Sequence, residues 1–200
     1  MTNKALIRRL TLAVLLSFSL VLLCNLPTVV SVMQPSLRSF LPGSTVQADS
    51  LPNDTFQYAR LGITAPVGLA PDTSPLRETD WATISQQLTK GVSLSYVGES
   101  FDQAPLAFVT GHSSSANPFA AYGSVFASTS QAKAGDQFEL NVGGTLYHYQ
   151  VVRTEILPPT DVSGFLALTP TVTGERDVAL VSCYPIFTTS KRFIVLGKRI

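Results

Sequence analysis

Short apolar runs separated by Gly, Pro, Asn and Ser make up most of the chain from residue 58 onward. Seven such runs can be traced, and they cover residues 61–67, 106–110, 123–126, 137–142, 145–154, 178–183 and 193–197. Apolar runs of this length bounded by turn residues predict β-strands. Seven of them at this spacing favour an antiparallel barrel or sandwich.

Helical spacing is present in one segment of this region. A helix is predicted over residues 81–90, because apolar side chains recur three or four positions apart before Gly91, at Trp81, Ile84 and Leu88. A second, shorter helix is predicted over residues 117–122. Gly143 and Gly144 predict a tight hairpin turn, since glycine readily adopts the positive backbone angles that a two-residue connection requires.

The first part of the chain has a different pattern. Residues 10–33 are uncharged and almost entirely apolar, and this length is enough to cross a hydrocarbon core, which needs about 20 helical residues. We therefore predict a transmembrane helix that contacts the lipid bilayer. Lys4, Arg8 and Arg9 precede it, so the positive-inside rule predicts a cytoplasmic N-terminus over residues 1–9 and a single-pass protein of the cell membrane.

The segment after the apolar stretch has the composition of a linker. Residues 34–57 contain scattered Pro, Ser and Thr and follow neither a helical nor a strand period. They are predicted to form an extracytoplasmic stalk that leads to a domain over residues 58–200. A cleaved signal peptide is the alternative, since residues 46–48 resemble a cleavage site, but that site lies far from the apolar core. An uncleaved anchor is therefore favoured.

Charge and cysteine content narrow the possible functions. Three of the 14 basic residues precede residue 10, and the remaining 11 stand against 13 acidic residues, which gives a net charge of −2 beyond the apolar segment. This balance argues against nucleic-acid binding. One of the two cysteines, Cys24, lies in the apolar segment, so Cys183 is the only cysteine in the predicted exported part. An exported thiol without a partner is either buried and inert or reactive.

Cys183 lies at the end of a predicted strand, and His112 follows another one. A thiol at a strand end is held by a rigid scaffold and can still be reached by a substrate, as a nucleophile requires. A small buried hydrophobic residue is the alternative interpretation of Cys183. His112 opens a polar turn, where an imidazole can exchange protons near neutral pH. His148 lies within a predicted strand and is the second candidate for the acid/base role.

Arg192 begins the last predicted strand. If the strands on either side of residues 184–191 pair as a hairpin, Arg192 faces Cys183 across its base. A guanidinium in that place could favour the thiolate and stabilise the oxyanion that forms when sulfur attacks an amide. A solvated surface arginine is the alternative. The combination of unpaired thiol, loop histidine and opposed arginine favours nucleophilic catalysis by Cys183.

Three segments of the sequence resemble the sortase family. Sortases have a strand ending in Gly-His, then a Thr-Leu-x-Thr-Cys strand followed by a Pro-containing loop, and a Lys-Arg pair that opens the final strand. Here these segments read Thr-Gly-His-Ser at 110–113, Ala-Leu-Val-Ser-Cys-Tyr-Pro at 179–185 and Lys-Arg-Phe-Ile-Val at 191–195. Ala179 and Ser182 replace the two threonines of the family pattern. The resemblance covers about residues 58–200.

The resemblance implies both a fold and a reaction. The fold would be all-β, a closed or nearly closed eight-stranded β-barrel with one or two short helices. Cys183 would attack an LPxTG-like sorting signal near the C-terminus of an exported protein and form a thioester, with His112 as general acid/base and Arg192 stabilising the oxyanion. An amine of a cell-wall precursor or a pilin lysine would then accept the protein.

The resemblance implies no cofactor. Some sortases hold a calcium ion near the loop between the sixth and seventh strands, but the acidic residues within 154–177 lack a recognisable ligand spacing, so no metal is predicted and calcium is left open. Two other functions are compatible with the residues. One is a secreted cysteine peptidase that gives the thioester to water. The other is a membrane-tethered β domain that only binds a partner and keeps Cys183 inert.

Overall fold

The structure is a computed structural model, and it describes residues 54–115, 117, 120–167 and 176–200. The predicted cytoplasmic segment (1–9), the predicted transmembrane helix (10–33) and most of the predicted stalk lie outside these residues. Among the residues described, no helix has the length and apolar character needed to span a bilayer.

Eight strands and two short α-helices occur in the described part of the chain. The strands are β1 (Thr55–Tyr58), β2 (Ile63–Pro71), β3 (Val92–Tyr96), β4 (Leu106–Thr110), β5 (Gln137–Val142), β6 (Thr145–Leu157), β7 (Asp177–Tyr184) and β8 (Lys191–Arg199). The helices are α1 (Trp81–Leu88), between β2 and β3, and α2 (Val162–Ala167), between β6 and β7. Short 3₁₀ turns cover Ala59–Leu61, Glu78–Asp80, Thr129–Gln131 and Pro159–Asp161.

The strands close into a barrel in the order β1-β2-β3-β4-β7-β8-β6-β5, and β5 pairs with β1 to complete it. The β2–β3 and β4–β7 pairs are parallel, and the other six pairs are antiparallel. A parallel pair needs a long crossover connection, and α1 lies in the first of these crossovers. The predicted closed eight-stranded barrel with one or two short helices is confirmed.

Strand β7 is buried on both faces, which explains its unbroken apolar sequence. Val178 and Leu180 point into the barrel, where they join an aromatic interior that includes Phe56, Phe126, Phe138 and Tyr149. Alternate residues of β7 point outward instead and belong to a second group, the outer apolar cluster, which consists of Phe108, Val162, Ala179, Val181, Ile194 and Leu196. Helix α2 supplies Val162 to this cluster. The outer face of β4, β7 and β8 is therefore a covered surface rather than a solvated one.

Several predicted elements match the structure and several do not. The runs at 106–110 and 137–142 coincide with β4 and β5, and Gly143 (φ 59°) and Gly144 (φ 84°) form the predicted hairpin turn. The run at 123–126 forms turns, so the strand predicted there is wrong. The helix predicted over 117–122 is also wrong in its described residues, 117 and 120–122, which are not helical.

Other differences concern the bounds of elements. Helix α1 ends at Leu88 rather than at residue 90. Strand β1 begins at Thr55, inside the segment predicted as a stalk, because the four residues of β1 are too few to give a recognisable period. Strand β3 was not predicted, since Ser93 and Ser95 interrupt its apolar pattern although both are fully buried. Helix α2 was not predicted either.

Candidate active site

Cys183 and Arg192 are direct cross-strand partners at the ends of β7 and β8. Successive strand residues point to opposite faces of a sheet, so Cys183 shares its face with Ala179 and Val181. Arg192 shares its face with two residues of β8, Ile194 and Leu196. All four of these apolar residues belong to the outer apolar cluster. The thiol and the guanidinium group therefore project from the same outer surface of the barrel, and the thiol is free and half-buried.

His112 lies two residues beyond the end of β4, and extending the register of β4 and β7 places it level with Cys183. Strands β4 and β7 run parallel with Thr110 opposite Val181, and the Gly111 amide donates a hydrogen bond to the Val181 carbonyl at 3.1 Å, which extends the ladder beyond β4. Two more residues along each strand lead to His112 and Cys183. His112 also continues the outward series of Phe108 and Thr110 on β4. The register brings together the three residues that the sequence singled out.

The backbone around His112 is held by the turn that follows it. The Phe126 amide donates a hydrogen bond to the His112 carbonyl at 2.8 Å. The Phe126 ring lies against Gly111, where a Cβ atom would stand 2.6 Å from the ring. Because real Cβ atoms do not approach that closely, Gly111 is required for Phe126 to pack beneath His112.

The protonation of His112 is set by its surroundings. Much of the side chain is exposed, but nearby protein atoms displace water from around the ring, and this desolvation lowers the pKa of His112 below its usual value. The neutral imidazole is therefore the main form at neutral pH. A neutral imidazole can accept a proton from a thiol or from an attacking amine, and its conjugate acid can protonate a leaving amine.

The guanidinium group of Arg192 is bonded to its own loop. Its Nη1 atom donates hydrogen bonds to the carbonyl oxygens of Thr189, at 3.0 Å, and Lys191, at 3.2 Å. These two bonds fix the end of the side chain at the start of β8. Leu157 of β6 is the cross-strand partner of Arg192 on its other side.

The loops that carry His112 and Cys183 are joined by a hydrogen bond. The amide of Phe187, between β7 and β8, donates to the Ser114 hydroxyl at 2.9 Å. Phe187 has a positive φ of 68°, which is rare for a residue with a bulky side chain. Its side chain is 51 % exposed, which is high for a phenylalanine. The bond therefore ties the β7–β8 loop to the turn that follows His112, with the Phe187 ring exposed.

A cleft of about 450 Å³ lies on the outer surface beside Arg192. One wall comes from the segment before α1, with Pro75, Leu76, Glu78 and Trp81. The opposite wall comes from the β6–β7 connection, with Pro159, Thr160, Val162 and Ser163. Val181 and Arg192 line it between these walls, and Val181 precedes Cys183 by two residues on the same face. The cleft is large enough for several residues of an extended peptide.

These cleft residues have no sequence pattern that marks them as part of a site. Trp81 was recognised only as part of a helical pattern, and the residues at 159–163 gave no signal at all. The two walls are about 80 residues apart in the sequence, and only the closure of the barrel brings them together.

His148 lies away from the other three candidates. Its Nδ1 atom is 3.1 Å from Glu139 Oε1 on the neighbouring strand β5. The next residue, Tyr149, pairs with Arg199, seven residues along β8 from Arg192, which corresponds to roughly 20 Å. His148 does not reach Cys183. Within the described ranges, no group of three or more His, Cys, Asp or Glu residues could hold a metal ion.

Comparisons with known proteins bear on the family and the fold of the chain. The family model described as the sortase domain matches residues 60–200. No curated protein sequence matches the chain. Among solved structures, sortase A from Corynebacterium diphtheriae is similar, with a TM-score of 0.55 and 20% identity over 77% of this chain and 63% of that one. The chain thus spans a little less than two thirds of that sortase.

Two further solved structures are similar to the chain. Sortase C-1 from Actinomyces oris has a TM-score of 0.51 and 20% identity over 84% of this chain and 82% of that one. Sortase C from Streptococcus pneumoniae has a TM-score of 0.53 and 21% identity over 74% of this chain and 68% of that one. At such identities a structural likeness shows the fold alone. The match of the sortase domain model, however, extends over most of the sequence, and the chain therefore belongs to the sortase family.

Proposed function

We propose that this protein is a membrane-anchored sortase that cleaves an LPxTG-like sorting signal at Cys183 and transfers the exported protein to an amine. One observation carries the proposal. Cys183 and Arg192 project from the same outer face of the barrel, His112 lies at the same height by extension of the β4–β7 register, and a cleft of about 450 Å³ lies beside Arg192. A cysteine nucleophile, a proton donor and an oxyanion stabiliser are the groups that amide cleavage through a thioester requires.

In the first half of the reaction neutral His112 takes the proton of the Cys183 thiol, and the resulting thiolate attacks the carbonyl carbon of the scissile amide. The carbonyl electron pair moves to oxygen, and the guanidinium group of Arg192 stabilises that oxyanion. The intermediate then collapses, the C–N bond breaks, and protonated His112 delivers a proton to the departing amine. A thioester on Cys183 remains, and His112 is left neutral, the form that its lowered pKa favours.

In the second half an acceptor amine replaces the sulfur. Neutral His112 takes a proton from the amine as it attacks the thioester carbonyl, and Arg192 stabilises the second oxyanion. Collapse breaks the C–S bond, forms the new amide and releases the Cys183 thiolate. Atoms and charges balance without a cofactor, because the reaction exchanges one amide for another.

The cleft favours an extended, largely apolar peptide as the donor. Leu76 and Trp81 supply apolar surface on one wall and Val162 on the opposite wall. Glu78 supplies a negative group beside Leu76 and Trp81. An LPxTG-like signal has an apolar residue and a proline ahead of the reacting threonine, which suits the lining of this cleft. The chain has no other tryptophan than Trp81, so its fluorescence reports directly on occupation of the cleft.

The acceptor is either an amine of a cell-wall precursor or a pilin lysine. The printed title of the Streptococcus pneumoniae sortase C structure refers to pilin substrate specificity, and the solved relatives include both sortase A and sortase C enzymes. Both acceptor classes therefore belong in the test, together with water, which would make the protein a cysteine peptidase.

The proposed location is the outer surface of the cell membrane. Residues 10–33 supply the apolar length and Lys4, Arg8 and Arg9 the positive-inside signal. A tethered enzyme and a tethered substrate meet at a raised effective concentration. Protease added to intact spheroplasts should degrade the barrel and leave a small membrane-bound fragment. Protection of the whole chain would contradict this topology.

The decisive experiment uses the detergent-solubilised full chain and a library of LPxTG-type peptides. Mass spectrometry should detect a thioester on Cys183 that converts to an amide when triglycine or a lysine-containing pilin peptide is added. Cys183→Ala is the matched control, and it should show no adduct while Trp81 fluorescence still responds to the peptide. Hydrolysis despite added amine would favour the peptidase. A folded, thiol-reactive protein without any adduct would contradict the proposal.

A further inference from the structure

Ser182 lies next to the thiol but faces the opposite way, into the barrel. Its Oγ atom stands 3.1 Å from the Oγ1 atom of Thr129. Both side chains are buried, with 4 % of Ser182 and 2 % of Thr129 exposed. Thr129 begins the 3₁₀ turn Thr129–Gln131, which is 53 residues away from Ser182 in the sequence. The contact therefore joins the end of β7 to a separate part of the chain beneath the active-site surface.

The direction of this hydrogen bond follows from the number of protons available. The Thr129 hydroxyl donates its single proton to the Phe126 carbonyl oxygen at 2.7 Å. Thr129 can then act only as an acceptor toward Ser182. The Ser182 hydroxyl is consequently the donor in the bond between the two side chains.

Phe126 extends the same chain of hydrogen bonds to His112. The Phe126 amide donates to the His112 carbonyl at 2.8 Å, and its ring packs against Gly111, which precedes His112. Three consecutive hydrogen bonds therefore run from Ser182 to Thr129, from Thr129 to Phe126 and from Phe126 to His112. The first residue of this series adjoins Cys183, and the last carries the imidazole.

We infer that Thr129 and Ser182 form a positioning pair that fixes the Cys183 thiol relative to the His112 imidazole. The role rests on the proposed function, because it matters only if the two groups exchange protons with a shared substrate. Neither hydroxyl touches the substrate surface, since both point into the barrel. Buried hydrogen-bond networks restrict local motion when every member is satisfied, and the three bonds give each member of this one a partner.

A positioning role explains why a hydroxyl residue stands immediately before the thiol. Alanine at position 182 would leave the Thr129 oxygen without its donor. Threonine at position 182 would keep the donor, in agreement with the Thr that the family pattern has there. A displacement of reacting groups by about 1 Å can reduce a rate by roughly 100-fold. We therefore expect loss of either hydroxyl to lower kcat by about 10- to 100-fold with little change in the KM for peptide.

The test is a double-mutant cycle in the full chain, made with Thr129→Val and Ser182→Ala. Each single variant should lower kcat, and the double variant should be no slower than the worse single one, since both remove the same bond. Thr129→Ser and Ser182→Thr should restore most of the activity. Ser95→Ala is the control, because Ser95 is a fully buried serine whose hydroxyl has no hydrogen-bond partner in the described structure. Its kcat should stay within about twofold of the parent.

A second readout does not depend on any sorting signal. The rate at which iodoacetamide alkylates Cys183 is measured as a function of pH in the parent and in His112→Gln. The difference between the two rate profiles measures the influence of His112 on the thiol. Thr129→Val should reduce that difference by at least half. If the parent alkylates in this way but transfers no peptide, the positioning inference stands and the proposed function fails.

The opposite results would overturn the inference. In one, the variants have a lower melting temperature but unchanged kcat and unchanged alkylation profiles. In the other, the free-energy costs in kcat of the two single variants add up in the double variant. Either outcome would mean that the two hydroxyls only stabilise the barrel.

Discussion

Cys183 and Arg192 are opposite one another in the β7–β8 ladder, nine residues apart in sequence, and both project from the outer face of the barrel. Their relative position is thus set by strand pairing rather than by flexible loops. A geometry fixed by backbone hydrogen bonds tolerates changes of side chain without loss of the fold. Substitutions at either residue should therefore report on chemistry.

Replacing Arg192 tests its electrostatic role. We expect Arg192→Ala to lower kcat/KM by about 100- to 1,000-fold, the usual cost of removing an oxyanion donor. Arg192→Lys should recover only part of this, because an ammonium group lacks the planar fork of the guanidinium group. Steady-state kinetics with the preferred peptide measure both effects. Lys191→Ala, at the exposed neighbouring residue, is the matched control, and an equal loss in that variant would contradict the assignment.

The pKa of His112 should be below 6.5, since desolvation disfavours the imidazolium form. The unfolded chain has the higher pKa, about 6.5, so it binds more protons than the folded chain as the pH falls below that value. Folding stability should accordingly fall as the pH drops through 6.5 toward the folded pKa. NMR titration of the imidazole Cε1–H signal in a His148→Gln background measures the value directly. A midpoint at or above 6.5 would show that solvation of the ring is not reduced.

Ser114 should stabilise the conformation of the β7–β8 loop, because its hydroxyl accepts a hydrogen bond from the Phe187 amide. Ser114→Ala removes the acceptor, and the loss of a bond of about 1 kcal/mol should raise the KM for peptide by about fivefold while kcat changes little. Hydrogen exchange at the Phe187 amide should become faster in the same variant. Ser115→Ala leaves that bond in place and is the control. Unchanged exchange at Phe187 would mean that the loop is held by other contacts.

Asp177 should destabilise the folded protein at neutral pH. The residue is only 2 % exposed, neither carboxylate oxygen has a hydrogen-bond partner among the described residues, and burial raises its pKa to about 6 despite the attraction of Lys198. The unfolded value is about 3.9, so the folded state binds more protons between pH 4 and 6. Stability should therefore decrease as the pH rises through this window.

Asp177→Asn removes this penalty, and it should raise the free energy of unfolding at pH 7.5 by as much as about 3 kcal/mol, the equivalent of two pKa units. Urea unfolding at pH 4, 6 and 7.5 measures the effect, and the gain should disappear at pH 4. Glu99→Gln, at an exposed acidic residue, should change the stability by less than about 0.5 kcal/mol. A gain of equal size at all three pH values would show that packing rather than charge is responsible.

Sequence patterns predicted the strands and residues that have a local signal. Strands β4 and β5 are bounded by turn residues on both sides, so their limits were found. The run at 123–126 does not pair as a strand. It is apolar because the Phe126 ring packs in the barrel interior. Strand β3 is covered on both faces, but two of its buried residues, Ser93 and Ser95, are polar and interrupt the apolar pattern by which a strand is recognised.

The candidate site likewise contains some residues that have a local sequence signal and others that have none. Cys183, His112 and Arg192 each stand next to a strand end, which a sequence motif can record. The cleft walls and the partnership of Thr129 with Ser182 depend on contacts between distant segments. Neither the cleft walls nor this contact can be read from a local pattern. The sequence around a threonine in a turn does not show whether its hydroxyl faces solvent or bonds to a buried serine.

Strand β8 is the last of the eight strands to be synthesised, yet it lies between β7 and β6 rather than at an edge. Until β8 is inserted, the barrel is an open sheet, and Cys183 has no arginine opposite it. A chain in which β8 is not yet paired therefore carries a thiol without the group that, in the proposed mechanism, stabilises the oxyanion. Under the proposed function, completion of the barrel and onset of catalysis are one event, so chains without a paired β8 are expected to be unable to attack a substrate.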